Sequence, residues 1–314
     1  MQKGLFEDSP PFTQFIMLLF TMVACFLLLM LTGILLAPLI LGIPLTELMN
    51  TVNGVNTAQN LNLMRYMQTL QSISLFIIPA FFAAYLFSGN VTGYLCLSRT
   101  NFEPRTLNKK TWFGAVLLLM LMAMPFINLL AALNEMIVFP RSLAGLEQWL
   151  KLAEENARQM LELFLNADHA GGMLFNIFMI SILPALGEEL IFRGVIQKIF
   201  ARWTGNIHVA IIISGFLFSL MHLQFYGFFP RWLLGVMFGY LLVWSGTLWL
   251  PIFAHFVQNG VAIFFSYLIH QGTIPEEMEE IGANWTDIPV TIAATVICAW
   301  LLWKMYSSRM LYTV

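Results

Sequence analysis

Apolar stretches about as long as a membrane is thick determine what this chain can fold into. A transmembrane helix needs about 20 mostly apolar residues, and eight stretches of the sequence approach or exceed that length. They are residues 12–41, 62–87, 112–139, 172–201, 207–224, 230–245, 251–270 and 288–306. Only 10% of the residues are charged, against about 25% in a soluble domain. The sequence therefore predicts an all-α, multi-pass membrane helix bundle in a lipid bilayer.

Residues 142–165 form a helix of a different kind. Apolar residues such as Leu146 and Leu150 recur at three- and four-residue spacing, while charged residues such as Glu147 and Lys151 fill the other face. This pattern is typical of an amphipathic helix. We expect the helix to lie at the outer membrane surface, either as a packing element or as a lid over a substrate entrance.

The positive charges indicate how the bundle is oriented. If the eight spans alternate in direction, ten of the 15 Lys and Arg residues lie on the side of the N-terminus, among them Lys109, Lys198 and Lys304. Lys and Arg are enriched in cytoplasmic loops, so we expect both termini to be cytoplasmic. A net charge of −2 gives no indication of a nucleic-acid partner.

The chain divides into three regions on these grounds. Residues 1–171 hold three spans and the amphipathic helix. Residues 172–270 carry ionisable side chains inside apolar stretches, and residues 271–314 hold an acidic loop and the last span. The middle region is therefore where chemistry is expected.

Three ionisable residues fall within six positions of the fourth stretch: Glu188, Glu189 and Arg193. At the centre of a membrane each such charge costs about 2.5–3.5 kcal/mol by insertion scales. Glu189 and Arg193 are four residues apart, so they share a helix face and can pair. Glu188 lies about 100° further round the helix and points elsewhere, without a local partner.

A histidine at the same depth is the predicted neighbour of Glu188. The sequence Thr204-Gly205-Asn206 predicts a turn between the fourth and fifth spans. Glu188 precedes Gly205 by 17 residues, and His222 follows Gly205 by 17 residues. Because both helices rise about 1.5 Å per residue, the hairpin brings the two side chains together. A carboxylate beside an imidazole can hold a water molecule and remove its proton.

The seventh span adds His255 and Asn259, which are four residues apart on one helix face. Both can donate hydrogen bonds, and donors that converge on one point stabilise a developing oxyanion. His255 follows Pro251 closely, so it would be shallow if the preceding turn were at the membrane surface. Residues 245–250 carry no charge, and we expect this turn to dip into the membrane, which is tolerated where backbone lines a polar cavity.

Three motifs with four-residue spacing thus follow one another along the chain. They are Glu188-Glu189-x-x-x-Arg193, Phe218-x-x-x-His222 and His255-x-x-x-Asn259. In this order they resemble the CAAX-protease and bacteriocin-processing family of intramembrane endopeptidases, which includes the eukaryotic prenyl-protein endopeptidase and bacterial self-immunity proteins. The resemblance covers roughly residues 175–262 and says nothing about the first three spans.

The resemblance implies a role for each motif residue in the hydrolysis of a peptide bond. Glu188 activates the attacking water, and His222 shares the proton transfer. His255 and Asn259 stabilise the oxyanion, while Glu189 and Arg193 support the site. The expected substrate is a membrane-associated protein or peptide, entering from the cytoplasmic half because Lys198 and Arg202 mark the inner end of the fourth span.

Two questions stay open at this point. Glu188, His222 and His255 could ligate zinc, although an Asn beside His255 favours oxyanion binding, so we expect no catalytic metal. A catalytically silent immunity or scaffold protein of the same family is an alternative to the enzyme. A transporter, which also buries polar residues at mid-depth, is a weaker alternative because no repeat relates the two halves.

Overall fold

The computed structural model describes residues 3–44, 46, 48, 61–98, 108–165 and 170–309. Regular structure within these ranges is entirely helical. Seven helices are long and apolar enough to cross a membrane, and Ile207–Leu220 is a shorter apolar helix. The predicted multi-pass helix bundle with about eight spans and one amphipathic helix is therefore confirmed.

The long helices are numbered here in chain order. They are α1 (Pro11–Leu41), α2 (Leu61–Phe87), α3 (Lys109–Glu135), α4 (Ala144–Leu165), α5 (Ala170–Thr204), α6 (Ile207–Leu220), α7 (Phe228–Ser245), α8 (Trp249–His270) and α9 (Ile288–Ser307). Helix α4 is the predicted amphipathic helix and begins after a 3-10 turn over Arg141–Leu143.

Two predicted boundaries are wrong. The fifth span was expected to reach residue 224, but α6 ends at Leu220. The backbone turns there, since the amide of His222 donates to the carbonyl of Ser219 at 3.2 Å and Leu223 has a φ of +54°. The third span was expected to reach residue 139, but α3 ends at Glu135. His222 therefore lies in the loop after α6 and not within a helix.

The ends of the helices define two faces of the bundle. The terminal face holds the N-terminal segment and the turns near residues 88–98, 205–206 and 246–248. On this face Arg202 donates to the Gln14 side chain at 2.8 Å. The opposite face holds residues 136–165, 221–227 and 271–287. There Asn134 donates to the carbonyl of Phe225 at 3.0 Å, and this bond ties α3 to the loop after α6.

Helices α2 and α5 each contain π-helical turns, which the sequence did not indicate. In α5 these are Ile177–Ile182 and Phe192–Ile196, and in α2 the turn is Ile73–Ile77. Pro184 and Pro79 lie just after such turns. Proline lacks the amide hydrogen that a regular helix would use, and π turns are frequent at functional sites. The Glu188-Glu189 pair lies between the two π turns of α5.

Glycines let the helices around this segment approach closely. A Cβ atom on Gly235 of α7 would lie 2.9 Å from the Cα atom of Gly215 of α6. A Cβ atom on Gly187 of α5 would lie 2.8 Å from the Cβ atom of Phe76 of α2. Small residues of this kind allow membrane helices to pack backbone against backbone. Helix α7 therefore packs closely on α6, and α2 packs closely on the middle of α5.

The turn between α7 and α8 is covered by protein. Ser245, Thr247 and Leu248 are all buried. The amide of Leu248 donates to the carbonyl of Cys96 at 3.0 Å, so the segment around Cys96 covers this turn. Such burial is what non-helical backbone inside a membrane requires, and the depth of the turn stays a prediction.

Candidate active site

The two glutamates of α5 are buried at the centre of the bundle. Glu189 is fully buried and Glu188 is 8% exposed. The regular helical turn that carries them places their side chains in different directions. Glu189 faces α7 and α8, whereas Glu188 faces a cavity. The predicted divergence of the two carboxylates is therefore confirmed.

A single carboxylate oxygen of Glu189 binds two partners. Its Oε1 atom accepts a hydrogen bond from Nη1 of Arg193 at 2.8 Å and lies 3.0 Å from Nδ1 of His255. The other terminal nitrogen of Arg193 donates to the carbonyl of Gly235 at 2.9 Å. The predicted Glu189–Arg193 pair is confirmed. The contact of Glu189 with His255 was not predicted from the sequence, and it links α5 to α8.

Aromatic rings enclose this buried charge cluster. The guanidinium of Arg193 lies 4.5 Å from the ring centroid of Phe218 and 5.4 Å from that of Phe238. The ring of Phe238 also stacks on His255, with centroids 5.2 Å apart and planes inclined by 20°. Cation–π contacts gain strength where the cation is desolvated, so the rings stabilise Arg193 and fix the plane of the His255 imidazole.

Both imidazoles point their Nε2 atoms at Glu188. The Oε2 atom of Glu188 lies 3.9 Å from Nε2 of His222 and 4.0 Å from Nε2 of His255. This oxygen has no hydrogen-bond partner among the described residues. The predicted proximity of Glu188 and His222 is confirmed. These separations are too long for direct hydrogen bonds.

Backbone contacts orient the His222 ring. Its Nδ1 atom lies 2.8 Å from the carbonyl of Phe218. A carbonyl oxygen only accepts hydrogen bonds, so Nδ1 carries the proton. In a neutral ring Nε2 is then an acceptor that faces Glu188. The Phe218-x-x-x-His222 spacing thus supplies both the carbonyl for His222 and the ring that covers Arg193.

Asn259 lies on the α8 side of the same cavity. Its Nδ2 atom donates to the carbonyl of Ile180 at 3.3 Å, and its side chain lines the cavity next to His255. The hydroxyl of Ser181 donates to the carbonyl of Phe256 at 2.7 Å and also joins α5 to α8. An Asn side chain has two amide hydrogens, so one remains for a ligand.

The cavity around these groups has a volume of about 590 Å³ and is lined by residues from α2 to α8 and the loop after α8. Beyond Glu188 its walls come from the opposite face of the bundle. They include Met160 and Leu161 of the amphipathic helix, Gln224 and Arg231 beside the loop after α6, and Glu279 of the loop after α8. Helix α4 therefore forms part of the cavity wall.

The residues that line the cavity beyond Glu188 do not include the end of α5 that carries Lys198 and Arg202, and the expected access from the cytoplasmic half stays a prediction. At that end Arg202 donates to the Gln14 side chain and the Lys198 ammonium lies 3.3 Å from the Cys96 sulfur. The buried turn after α7 lies on the same face. If the termini are cytoplasmic, as the positive charges predict, the cavity faces the other side of the membrane.

The sequence analysis did not identify three residues of the site, Phe238, Arg231 and Gln224. Phe238 contacts both Arg193 and His255, and Arg231 lines the cavity with Gln224. Gly235 and Gly239 are four residues apart, a small-residue spacing typical of close helix packing, which could have indicated that α7 approaches α5. Arg231 stands within an apolar stretch, and such a cation is itself a signal of function.

The groups considered as zinc ligands are of the right chemical type but are widely spaced. Donor atoms on a tetrahedral zinc ion with bonds of about 2.0–2.2 Å lie about 3.3–3.5 Å apart. Glu188 is 3.9 Å from His222 and 4.0 Å from His255. Over the described residues, no set of three or more His, Cys, Asp or Glu side chains is arranged to hold a metal ion. Zinc would require these side chains to move together.

Comparison with known proteins finds similarity in the part of the chain that carries this site. Residues 170–261 match the family model for type II CAAX prenyl endopeptidase Rce1-like proteins. Over 98 residues the chain is 40% identical to the membrane-embedded CAAX protease MroQ of Staphylococcus aureus. The aligned residues make up 29% of this chain and 39% of that protein. Over 90 residues it is 34% identical to the sporulation-killing factor biosynthesis protein SkfC of Bacillus subtilis, covering 26% and 18%.

A third relative is the protein YpbD of Bacillus subtilis, 29% identical over 93 residues, which cover 27% of this chain and 43% of that protein. The chain thus matches less than half the length of each of these relatives. No solved structure matches it significantly. Over residues 170–261 the chain matches the Rce1-like family model, so the resemblance to CAAX proteases that its motifs predicted is confirmed.

The contacts of the Glu189 carboxylate with Arg193 and His255 lead to a testable prediction about stability. Glu189→Gln should lower the melting temperature of the purified protein strongly, because Arg193 loses its charged partner while buried. Breaking a buried ion pair costs on the order of 3–5 kcal/mol. The matched control is Glu188→Gln one residue earlier, where Oε2 has no hydrogen-bond partner in the described protein. Equal melting temperatures for the two variants would contradict the assignment.

Proposed function

We propose that this protein is an intramembrane endopeptidase that hydrolyses a peptide bond of a membrane-associated protein or peptide. The observation that carries the proposal is the convergence of three groups inside a cavity. Glu188 is held within 4.0 Å of the Nε2 atoms of His222 and His255. The family match over residues 170–261 and the name of the relative MroQ support the same activity.

Glu188 acts as the general base in this proposal. A water molecule between Glu188 and His222 donates one hydrogen to Oε2 of Glu188 and the other to Nε2 of His222. Glu188 takes the proton as the water oxygen bonds to the substrate carbonyl carbon. It later returns that proton to the leaving amine, so the peptide C–N bond breaks and the base is restored. Positioned proton transfer of this kind contributes about 10²–10⁴-fold to a rate.

His255 and Asn259 bind the oxyanion that forms when the carbonyl is attacked. Asn259 keeps one amide hydrogen after its bond to Ile180. His255 donates from Nε2 when its ring is protonated, and Glu189 accepts from Nδ1 of the same ring. Glu189 is therefore a positioning residue, because it orients His255 and stabilises the imidazolium. Preorganised donors in a site that excludes water are among the largest contributions to catalysis.

The walls of the cavity support a substrate associated with the membrane. They are mainly apolar and include Met160, Leu161, Phe164 and Ile263. The amphipathic helix α4 contributes the first three of these side chains. An extended peptide with apolar residues would bury them against this wall, while its carbonyl reaches Glu188. The role of α4 as a substrate-covering element is therefore favoured over a purely external anchor.

The catalytic prediction compares four variants of the purified protein. Glu188→Gln and His222→Ala should each lower kcat by roughly 10²–10⁴-fold, and Asn259→Ala by roughly 10²–10³-fold. The matched control is His208→Ala, since His208 contacts Tyr240 at the terminal face, away from the cavity. Cleavage of a lipid-anchored peptide library, followed by mass spectrometry, measures these rates.

The outcome of that assay also separates the enzyme from its alternatives. A silent scaffold or immunity protein would release no peptide with the unmodified chain. A transporter would show flux of solute or protons that depends on Glu188 without any peptide cleavage. Full cleavage by folded Glu188→Gln or His222→Ala protein would refute the roles assigned to these residues.

A metal-dependence prediction follows from the spacing of the three groups. We propose that water activation needs no metal, so activity should survive prolonged treatment with a strong chelator. Elemental analysis of the purified protein should find far less than one zinc per chain. Zinc in a one-to-one ratio that restores chelated enzyme, and that is lost in His222→Ala, would establish the alternative in which Glu188, His222 and His255 are ligands.

A further inference from the structure

Gln258 is a polar side chain of the cavity wall that the proposed reaction does not use. It lies on α8, three residues after His255 and one before Asn259, and lines the same cavity. Its Oε1 atom is buried without a hydrogen-bond partner among the described residues. Of the described residues that line the cavity, only Glu188 has another such atom. The large majority of buried polar side-chain atoms are hydrogen-bonded, so this oxygen needs an explanation.

The neighbours of Gln258 on α8 have partners of their own. Asn259 donates to the carbonyl of Ile180 at 3.3 Å, and Nδ1 of His255 lies 3.0 Å from Glu189. The backbone amides of this part of α8 are used within the helix. The described protein therefore provides no donor for Oε1 of Gln258, and a molecule that enters the cavity can supply one.

A peptide that enters the cavity has the complementary need. The cavity wall is mainly apolar and includes Ile127 of α3 and Ala262 and Ile263 of α8. A backbone N–H that leaves water for such surroundings costs free energy unless it finds an acceptor. The unpaired oxygen of Gln258 and the main chain of a peptide thus satisfy each other.

We propose that the carboxamide of Gln258 binds the main chain of the substrate, with Oε1 accepting from the N–H of one residue and Nε2 donating to the carbonyl of the same residue. This inference rests on the proposed endopeptidase function. In an extended chain the N–H and C=O of one residue point to the same side, and a carboxamide offers both an acceptor and donors. A turn about its last side-chain bond, which is a soft torsion, brings the buried oxygen to the cavity.

Recognition of the main chain determines which peptides the cavity accepts at this position. Main-chain hydrogen bonds give affinity whatever the side chain is, whereas proline has no N–H to donate. Gln258 lies one helical turn beyond His255, a rise of about 4.5 Å, and an extended peptide advances about 3.3–3.6 Å per residue. Because His255 binds the oxyanion in the proposed reaction, the bound residue should lie within about two residues of the scissile bond.

Binding to an inactive variant tests this proposal without turnover. The probes are a fluorescent N-acylated hexapeptide of apolar residues and its ester analogues, in each of which oxygen replaces one main-chain N–H. They are titrated against full-length Glu188→Gln protein in detergent. We expect one analogue to bind about fivefold more weakly than the parent peptide, or worse, because Oε1 of Gln258 then has no donor. The other analogues should bind within about twofold of the parent.

Substitution of Gln258 assigns the difference to its carboxamide. Gln258→Met keeps the length of the side chain and removes both polar ends. In the same background the parent peptide should bind only as well as the sensitive analogue, so the difference between them disappears. The matched control is Gln68→Met, which removes a glutamine of α2 that lines the same cavity and should keep the difference. If Gln258→Met protein does not fold, Gln258→Ala removes the same oxygen with the same expected result.

Four results would overturn the proposal. They are an absence of binding or equal binding of the parent and all analogues, a difference that persists in folded Gln258→Met or Gln258→Ala protein, its loss in Gln68→Met, and the loss of all peptide binding in both Gln258 variants.

Because binding is measured without cleavage, the two proposals fail separately. Intact peptide cleavage without an ester difference that depends on Gln258 refutes only the role of Gln258. Such a difference in a protein without peptidase activity refutes only the proposed function.

Discussion

The carboxylate of Glu189 is the interaction on which the rest of the site depends. One of its oxygens contacts Arg193 at 2.8 Å and His255 at 3.0 Å, and Arg193 continues to the carbonyl of Gly235. These contacts join α5, α7 and α8 at a point that is shielded from solvent. A buried charge without a partner costs several kcal/mol, so the three helices have one favourable arrangement. That arrangement sets the plane and direction of the His255 imidazole.

The same arrangement leaves Glu188 available for chemistry. The neighbouring glutamate satisfies the structural role, so Glu188 can face a cavity with an oxygen that has no hydrogen-bond partner in the described protein. Two π-helical turns flank the pair, and the second of them carries Arg193. Adjacent carboxylates on one helix thus have different surroundings, because one is enclosed by Arg193 and aromatic rings and the other has two imidazole nitrogens within 4.0 Å.

Sequence reasoning succeeded where chain geometry alone fixes a distance. The four-residue spacing of Glu189 and Arg193 sets their contact within one helix. Equal numbers of residues on the two sides of Gly205 predicted that Glu188 and His222 lie close together, although His222 itself lies just after the end of α6. Sequence reasoning failed where packing between distant segments decides. The contact of His255 with Glu189 and the position of Phe238 depend on how helices rotate against one another. No periodicity in the sequence encodes that rotation, and the π turns of α5 change it further.

A double-mutant cycle between Glu189 and His255 tests the central claim most directly. Unfolding free energies would be measured for the unmodified protein, Glu189→Gln, His255→Gln and the double variant in mixed detergent micelles. Residues in one hydrogen-bonded network show interaction energies of about 0.5–3 kcal/mol. We predict a coupling of about 1 kcal/mol or more, because each single variant already removes the contact between Glu189 and His255. Effects that add to within about 0.5 kcal/mol would contradict the account.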